Sequence, residues 1–254
     1  MPWFVGEIRN YLPPGWHFQK SPRVDRLYSF VLSDRKPRPG IKTFHLLYAD
    51  IQNLARTPHQ EELLEAFESD LNNYIGQSAR ISFFVHAGVV GWKGQAIVIP
   101  GRSHSGKTML VKEFLQHGAS YYSDDFAVFD ERGYVSPFAK PLGIRERTSQ
   151  KQTRVLPTEL GSMVGAAALP VGLLLFTHYR KSACWNPGAM TIGGGMLGLL
   201  ANAVAARQQP ERALALLERV ARGARILTGD RGEAKDVVRT VLDWPGELNP
   251  KVSR

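Results

Sequence analysis

Cysteine is nearly missing from this chain. Cys184 stands alone among 254 residues, which excludes an intramolecular disulfide and any cysteine-based metal set, and points to a reducing compartment. The opening stretch, MPWFVGEIRN, lacks the positively charged start and apolar core of a signal peptide, so a cytoplasmic protein is expected. Long apolar runs are missing too. Residues 163–176 (MVGAAALPVGLLLF) are short and hold Pro170, and residues 189–206 (AMTIGGGMLGLLANAVAA) contain three consecutive glycines, Thr191 and Asn202; both read as core, not as membrane spans. Acidic residues are outnumbered 23 to 32 by Lys and Arg, a formal charge of +9, yet no zinc finger, RNP-like aromatic strand or basic recognition helix accompanies the excess. It predicts anionic partners such as ATP or an acidic peptide, with no nucleic acid and no membrane. No internal repeat or low-complexity segment is present.

What is present is a chain long enough for a full core, in one large domain or a domain with a subdomain. Residues 1–50 alternate short apolar runs (WFVGEI, RLYSFVL, KTFHLLYA) with turn-rich pieces (YLPPGW, SDRKPRPG), the pattern of an antiparallel β subdomain. The period then changes. Thr57-Pro58-His59-Gln60 offers a capping residue, a proline at the first helical position and a glutamine at N3, and Leu63, Leu64, Phe67, Leu71, Tyr74 and Ile75 form one apolar helical face. The expected division is a small β-rich α+β subdomain with a linking helix over 1–78 and an α/β core with C-terminal helices over 79–254. Within the core, ISFFVHAGVV and QAIVIP read as a hairpin turning at Gly91-Trp92-Lys93-Gly94, and YYSDDFAVF and VGLLLFTHY as further strands. Helices are expected near 192–207, 210–222 and 233–243.

The hairpin runs into IVIPGRSHSGKTML. Gly101-x-x-x-x-Gly106-Lys107-Thr108 has the P-loop spacing, in which backbone N–H groups and a helix N-terminus surround phosphate oxygens, Lys107 adds a mobile charge and Thr108 presents a hydroxyl to magnesium. An apolar strand precedes it, and Met109, Leu110, Val111, Phe114 and Leu115 follow at helical spacing, so strand, loop and helix come in the required order. Gly118 supplies a stop. The nucleotide-binding residues are Gly101, Ser103, His104, Ser105, Gly106, Lys107 and Thr108, with ATP and Mg2+ as cofactors.

Adjacent Asp124 and Asp125 inside an apolar strand set a problem. A strand sends neighbours to opposite faces, and a buried charge without a partner costs several kcal/mol, so a cation is expected beside them: magnesium on Thr108 and the phosphates, or Lys107.

The string HAGVVGWKGQAIVIPGRSHSGKT, followed by YYSDDFAVF and PFAKPLGIR, resembles the HPr kinase/phosphorylase superfamily, in particular its HPr-kinase-related bacterial proteins, over roughly residues 81–147. The resemblance implies a P-loop kinase core of the type shared with PEP carboxykinase. It also implies transfer of the γ-phosphoryl group of ATP to a hydroxyl, by an active site of His86, Lys107, Thr108, Asp124 and Asp125. By that similarity Asp124 is the base, Asp125 shares the metal with Thr108, and His86 orients a phosphate or the acceptor. The chain departs from the family at His104, where a glycine is usual, and at Met109, where a glutamate is usual, and PFAKPLGIR echoes only part of a longer signature. The acceptor is therefore open: a serine of a protein, of a maturing peptide, or free serine.

Outside the motif, Lys140 and Arg145 flank a loop near the strand ends, where an acidic substrate or the nucleotide is expected. Arg231, in TGDRGEA, opens the last helix where a cation is unfavourable to the dipole, so it needs a partner and joins the substrate candidates. Two other classes fit the same loop: a nucleotide-binding regulator without transfer chemistry, and a PEP-carboxykinase-like metabolic enzyme. Self-association as a homo-oligomer is left open.

Overall fold

The computed structural model describes residues 2–21, 23–33, 42–102, 105–145, 152–244 and 248, and the chain divides into two compact units, Met1–Ile75 and Gly76–Arg254.

The first unit holds helix α1 (Pro2–Arg9), strands β1 (Tyr28–Val31), β2 (His45–Ala49) and β3 (Gln52–Thr57) in an antiparallel sheet of order β1-β2-β3, and most of helix α2 (Gln60–Ser78). Period-3.6 spacing on α2 puts Leu63 and Phe67 against Leu47 of β2, and Tyr28 and Phe30 meet the Phe67 ring edge-on at 4.9 and 5.3 Å. WFVGEI, expected as part of the β pattern, instead lies within α1: Phe4 and Ile8 are spaced to share a helical face, and Phe4 is buried. Thr57 ends β3 instead of capping the helix directly, and its hydroxyl bonds Glu62 in the first turn of α2.

The second unit is mixed α/β. Its strands are β4 (Phe83–Trp92), β5 (Gln95–Pro100), β6 (Ser120–Ser123), β7 (Phe126–Phe129), β8 (Tyr134–Ser136), β9 (Leu142–Arg145), β10 (Gln152–Val155), β11 (Leu169–Tyr179), β12 (Gly188–Ala189) and β13 (Arg225–Arg231). Its helices are α3 (Lys107–Gln116), α4 (Ile192–Leu200), α5 (Pro210–Gly223) and α6 (Ala234–Leu242). Eight strands form one mixed sheet, order β12-β13-β11-β5-β4-β7-β8 with β6 also on β4, while β9 and β10 pair separately. β11 runs parallel to β5 and β13; β4 is antiparallel to β5, β6 and β7. β8 returns to pair with the start of β11 at Leu169↔Val135, closing a circuit β11-β5-β4-β7-β8.

Strand alternation sorts this sheet into two cores. Ala96, Val98, Leu174 and Phe176 face the side holding Leu216, Leu217 and Val220 of α5; Ile97, Ile99, Leu173 and Leu175 face Leu110, Val111 and Phe114 of α3 and Val237, Val238 and Val241 of α6. Each fully buried Leu, Ile or Phe among these contributes on the order of 2 kcal/mol. Residues 189–206 start at the end of β12 and continue as the short helix α4 and turns, and α4 lies close on the sheet, for a Cβ at Gly195 would meet Ile226 Cδ1 at 2.6 Å. Among the described residues, no helix is long and apolar enough to cross a membrane.

Two sequence expectations change here. YYSDDFAVF is not one strand: β6 stops at Ser123 and β7 starts at Phe126, and the Ser123 hydroxyl accepts from the amides of Asp125 (3.2 Å) and Phe126 (3.0 Å), bending the chain between them. The last region also contains β13, a strand that its mixed sequence, RILTGDR, does not announce by alternation.

Candidate functional site

The site is built around one peptide link of β4. On one side β4 pairs with β5 up to Ala87↔Pro100, and the Gly101 amide donates to the His86 carbonyl at 3.1 Å. On the other side β7 pairs with His86 through Phe126, and the Ala87 amide donates to the Asp125 carbonyl at 3.1 Å. The root of the loop and the aspartate pair thus lie two strand spacings apart, about 9.5 Å across the sheet. Helix α3 packs on β4 at Gly88, where a Cβ would sit 2.7 Å from Val111 Cγ2 and 3.6 Å from Lys107 Cβ; the missing side chain lets the helix approach.

Between Gly101 and α3 the chain turns at Gly106, which has φ 83° and leaves the helix without a side-chain cap. The first N–H groups of a helix have no intrahelical acceptor, so the start of α3 carries backbone donors of the kind that can receive an anion. Arg231 braces the turn. It ends β13 instead of opening the last helix, is 3% exposed, and donates from Nη2 to the Gly106 carbonyl (3.1 Å), from Nη1 to the Gly232 carbonyl (3.1 Å) and from Nε to Thr177 Oγ1 (3.3 Å). Burial lowers its pKa, and the neighbouring Tyr179 and Glu233 oppose the shift. The partner its position demanded is the loop itself.

Lys107 is the first residue of α3 and folds back, donating from Nζ to the Arg102 carbonyl at 2.8 Å. Desolvation lowers its pKa, and Asp125 and Asp124 oppose that, Asp125 more strongly. Ser105 Oγ is buried and has no hydrogen-bond partner among the described residues, and it lies 2.7 Å from where a Cβ on Gly101 would stand. Thr108 follows in the first turn of α3. Ser103 and His104 lie outside the described residues, and so does the side chain of Arg145.

The two aspartates part company. Asp124 is 5% exposed; its Oδ2 accepts from the Gly143 amide (3.3 Å) and its Oδ1 lies 3.1 Å from the Tyr121 hydroxyl, which is 2.8 Å from the Lys140 carbonyl. The phenol has one proton and the carbonyl can only accept, so the Asp124–Tyr121 contact is best satisfied when the carboxyl carries a proton. Burial first, then the Asp125 charge, push the Asp124 pKa up to about 7, in agreement with that geometry. Asp125 is exposed, and Lys140 Nζ donates to its Oδ2 at 2.8 Å. Lys140, proposed from sequence as a substrate contact, is 7% exposed and bound to a site carboxylate.

His86 is half-buried, its ring 4.6 Å from that of Phe126. Burial and the Lys107 charge lower its pKa, with Asp125 opposing, so the imidazole is neutral near pH 7. The fold therefore gathers His86, Lys107, Asp125, Asp124, Lys140 and Arg231 around one end of the sheet. Tyr121, Ser123 and Gly143 were not anticipated. Ser123 carried a usable signal as a turn former beside two aspartates, whereas Gly143 acts through its backbone and leaves no mark in residue type.

Among the described residues, no group of three or more His, Cys, Asp or Glu forms a metal cage. Magnesium in phosphoryl-transfer sites is held by one or two carboxylates, a hydroxyl, water and substrate phosphates, and Thr108 and the exposed Asp125 fit that donor set. No protein-family model matches the chain, and no curated protein is significantly similar to it.

Proposed function

We propose that this protein is a P-loop kinase of the HPr kinase type, transferring the γ-phosphoryl group of ATP to a hydroxyl of a protein serine, a maturing peptide or a small molecule. One observation carries the reading: His86 and Ala87 tie a lysine-bearing anion loop and a solvent-open carboxylate to the same peptide link. The loop amides and the start of α3 receive phosphate oxygens, and Lys107 exchanges the Arg102 carbonyl for the β and γ phosphates. Arg231 holds Gly106 in place while the loop is loaded. Thr108 and Asp125 are the residues that would hold magnesium, which would offset charge on the transferred group.

Asp125 is also the carboxylate an acceptor can reach. The acceptor oxygen bonds to the γ phosphorus as the bond from that phosphorus to the bridging oxygen breaks, and the hydroxyl proton passes to Asp125. Asp124, expected from the resemblance to be the base, sits behind it at 5% exposure and serves this reading as a support. His86, neutral, orients a phosphate or acceptor oxygen.

Titration calorimetry with Mg-ATP and Mg-ADP is the first test, and incubation with ATP and serine- or threonine-containing peptides or free serine, scored by mass spectrometry for a phosphate ester, is the second. No nucleotide binding with magnesium present rejects the reading. Binding without transfer to any hydroxyl replaces it with a nucleotide-binding regulator.

A further inference from the structure

The segment Lys140–Gly143 holds both carboxylates at once. The Lys140 ammonium donates to Asp125 Oδ2 (2.8 Å), the Lys140 carbonyl accepts from Tyr121 beside Asp124, and the Gly143 amide donates to Asp124 Oδ2 (3.3 Å). Lys140 is 7% exposed, while Asp125 has a side chain 49% exposed. A buried ammonium therefore reaches outward to the one carboxylate of the pair that faces solvent. A cation at 2.8 Å offsets the charge of Asp125 without an ion from solution.

We propose that Lys140 is a resident cation for Asp125: it holds Oδ2 in the metal-free protein, and an arriving hydrated divalent ion must compete with it for that carboxylate. This rests on the kinase reading of the site. Its consequence is that the aspartates alone bind metal weakly, and the ion enters with the nucleotide, whose phosphates supply the missing negative charge.

The test compares wild type, Lys140→Met and Lys140→Arg in two titrations. Nucleotide-free protein is titrated with Mn2+, followed by electron paramagnetic resonance, and Mg-ATP binding is measured by calorimetry. Removing the competing charge should tighten Mn2+ binding by about tenfold in Lys140→Met, with Lys140→Arg close to wild type. The gain should vanish in Lys140→Met/Asp125→Asn. Equal or weaker Mn2+ binding by folded Lys140→Met overturns the proposal. Lys140→Gln repeats the comparison if the methionine variant does not fold; failure of both to fold makes the ammonium a structural strut and also overturns it. A wild type that binds no Mg-ATP sinks the kinase reading, a result separate from the Mn2+ comparison that judges Lys140.

Discussion

Arg231 donates to the carbonyl of Gly106 at 3.1 Å, across a sequence separation of 125 residues, and a Cβ on Gly106 would collide with the same guanidinium. The left-handed turn at the head of α3 is thus held both by its own backbone, at φ 83°, and by an arginine from the end of β13.

Gly106→Ala should destabilise the protein by about 2–3 kcal/mol, roughly 1 kcal/mol from the positive φ and the rest from the collision. In an Arg231→Ala background the same substitution should cost only the conformational part. Urea midpoints for the four proteins form a double-mutant cycle, and a coupling near zero would remove Arg231 from the loop's support.

Lys107→Ala should weaken use of the γ phosphate, lowering transfer about 10²- to 10³-fold, the usual effect of deleting a preorganised charge. Calorimetry should show ADP binding less affected than ATP binding. An unchanged rate would take Lys107 out of the chemistry.

The two aspartates should separate in kinetics. Asp125→Asn should lower transfer to a hydroxyl by about 10²- to 10⁴-fold, the range for general-base loss, and should also weaken Mg-ADP binding through the loss of a metal-side carboxylate. Asp124→Asn should cost much less, because the amide keeps the contacts with Tyr121 and Gly143. A larger loss from Asp124→Asn would return the base to the buried position.

Asp124 should also show in the pH dependence of stability. Its pKa rises from 3.8 to about 7 on folding, so the native state binds the extra proton between those values. The resulting stabilisation is complete below pH 3.8 and is lost as pH rises through about 7. His86, with a lowered pKa, contributes the opposite slope, so the difference between wild type and Asp124→Asn isolates the carboxyl. Urea midpoints at several pH values should converge toward the variant's as pH falls and diverge as it rises to 8. Parallel profiles would place the Asp124 titration in the ordinary carboxylate range.

By itself the sequence determined the strand at Gln95–Pro100, the turn at Gly106 and the helix from Lys107, because each follows from local rules: a short apolar run, a glycine at positive φ, and apolar residues at helical spacing. It also marked Asp124 and Asp125 as a pair to be explained, and the resemblance added His86 to them. Only the tertiary structure decided which aspartate faces solvent, since that depends on a strand break at Ser123 and on Lys140 and Gly143 returning from 15 and 19 residues away. Only the tertiary structure gave Arg231 its partner, since periodicity records which face a residue takes but not which distant backbone carbonyl its side chain will meet.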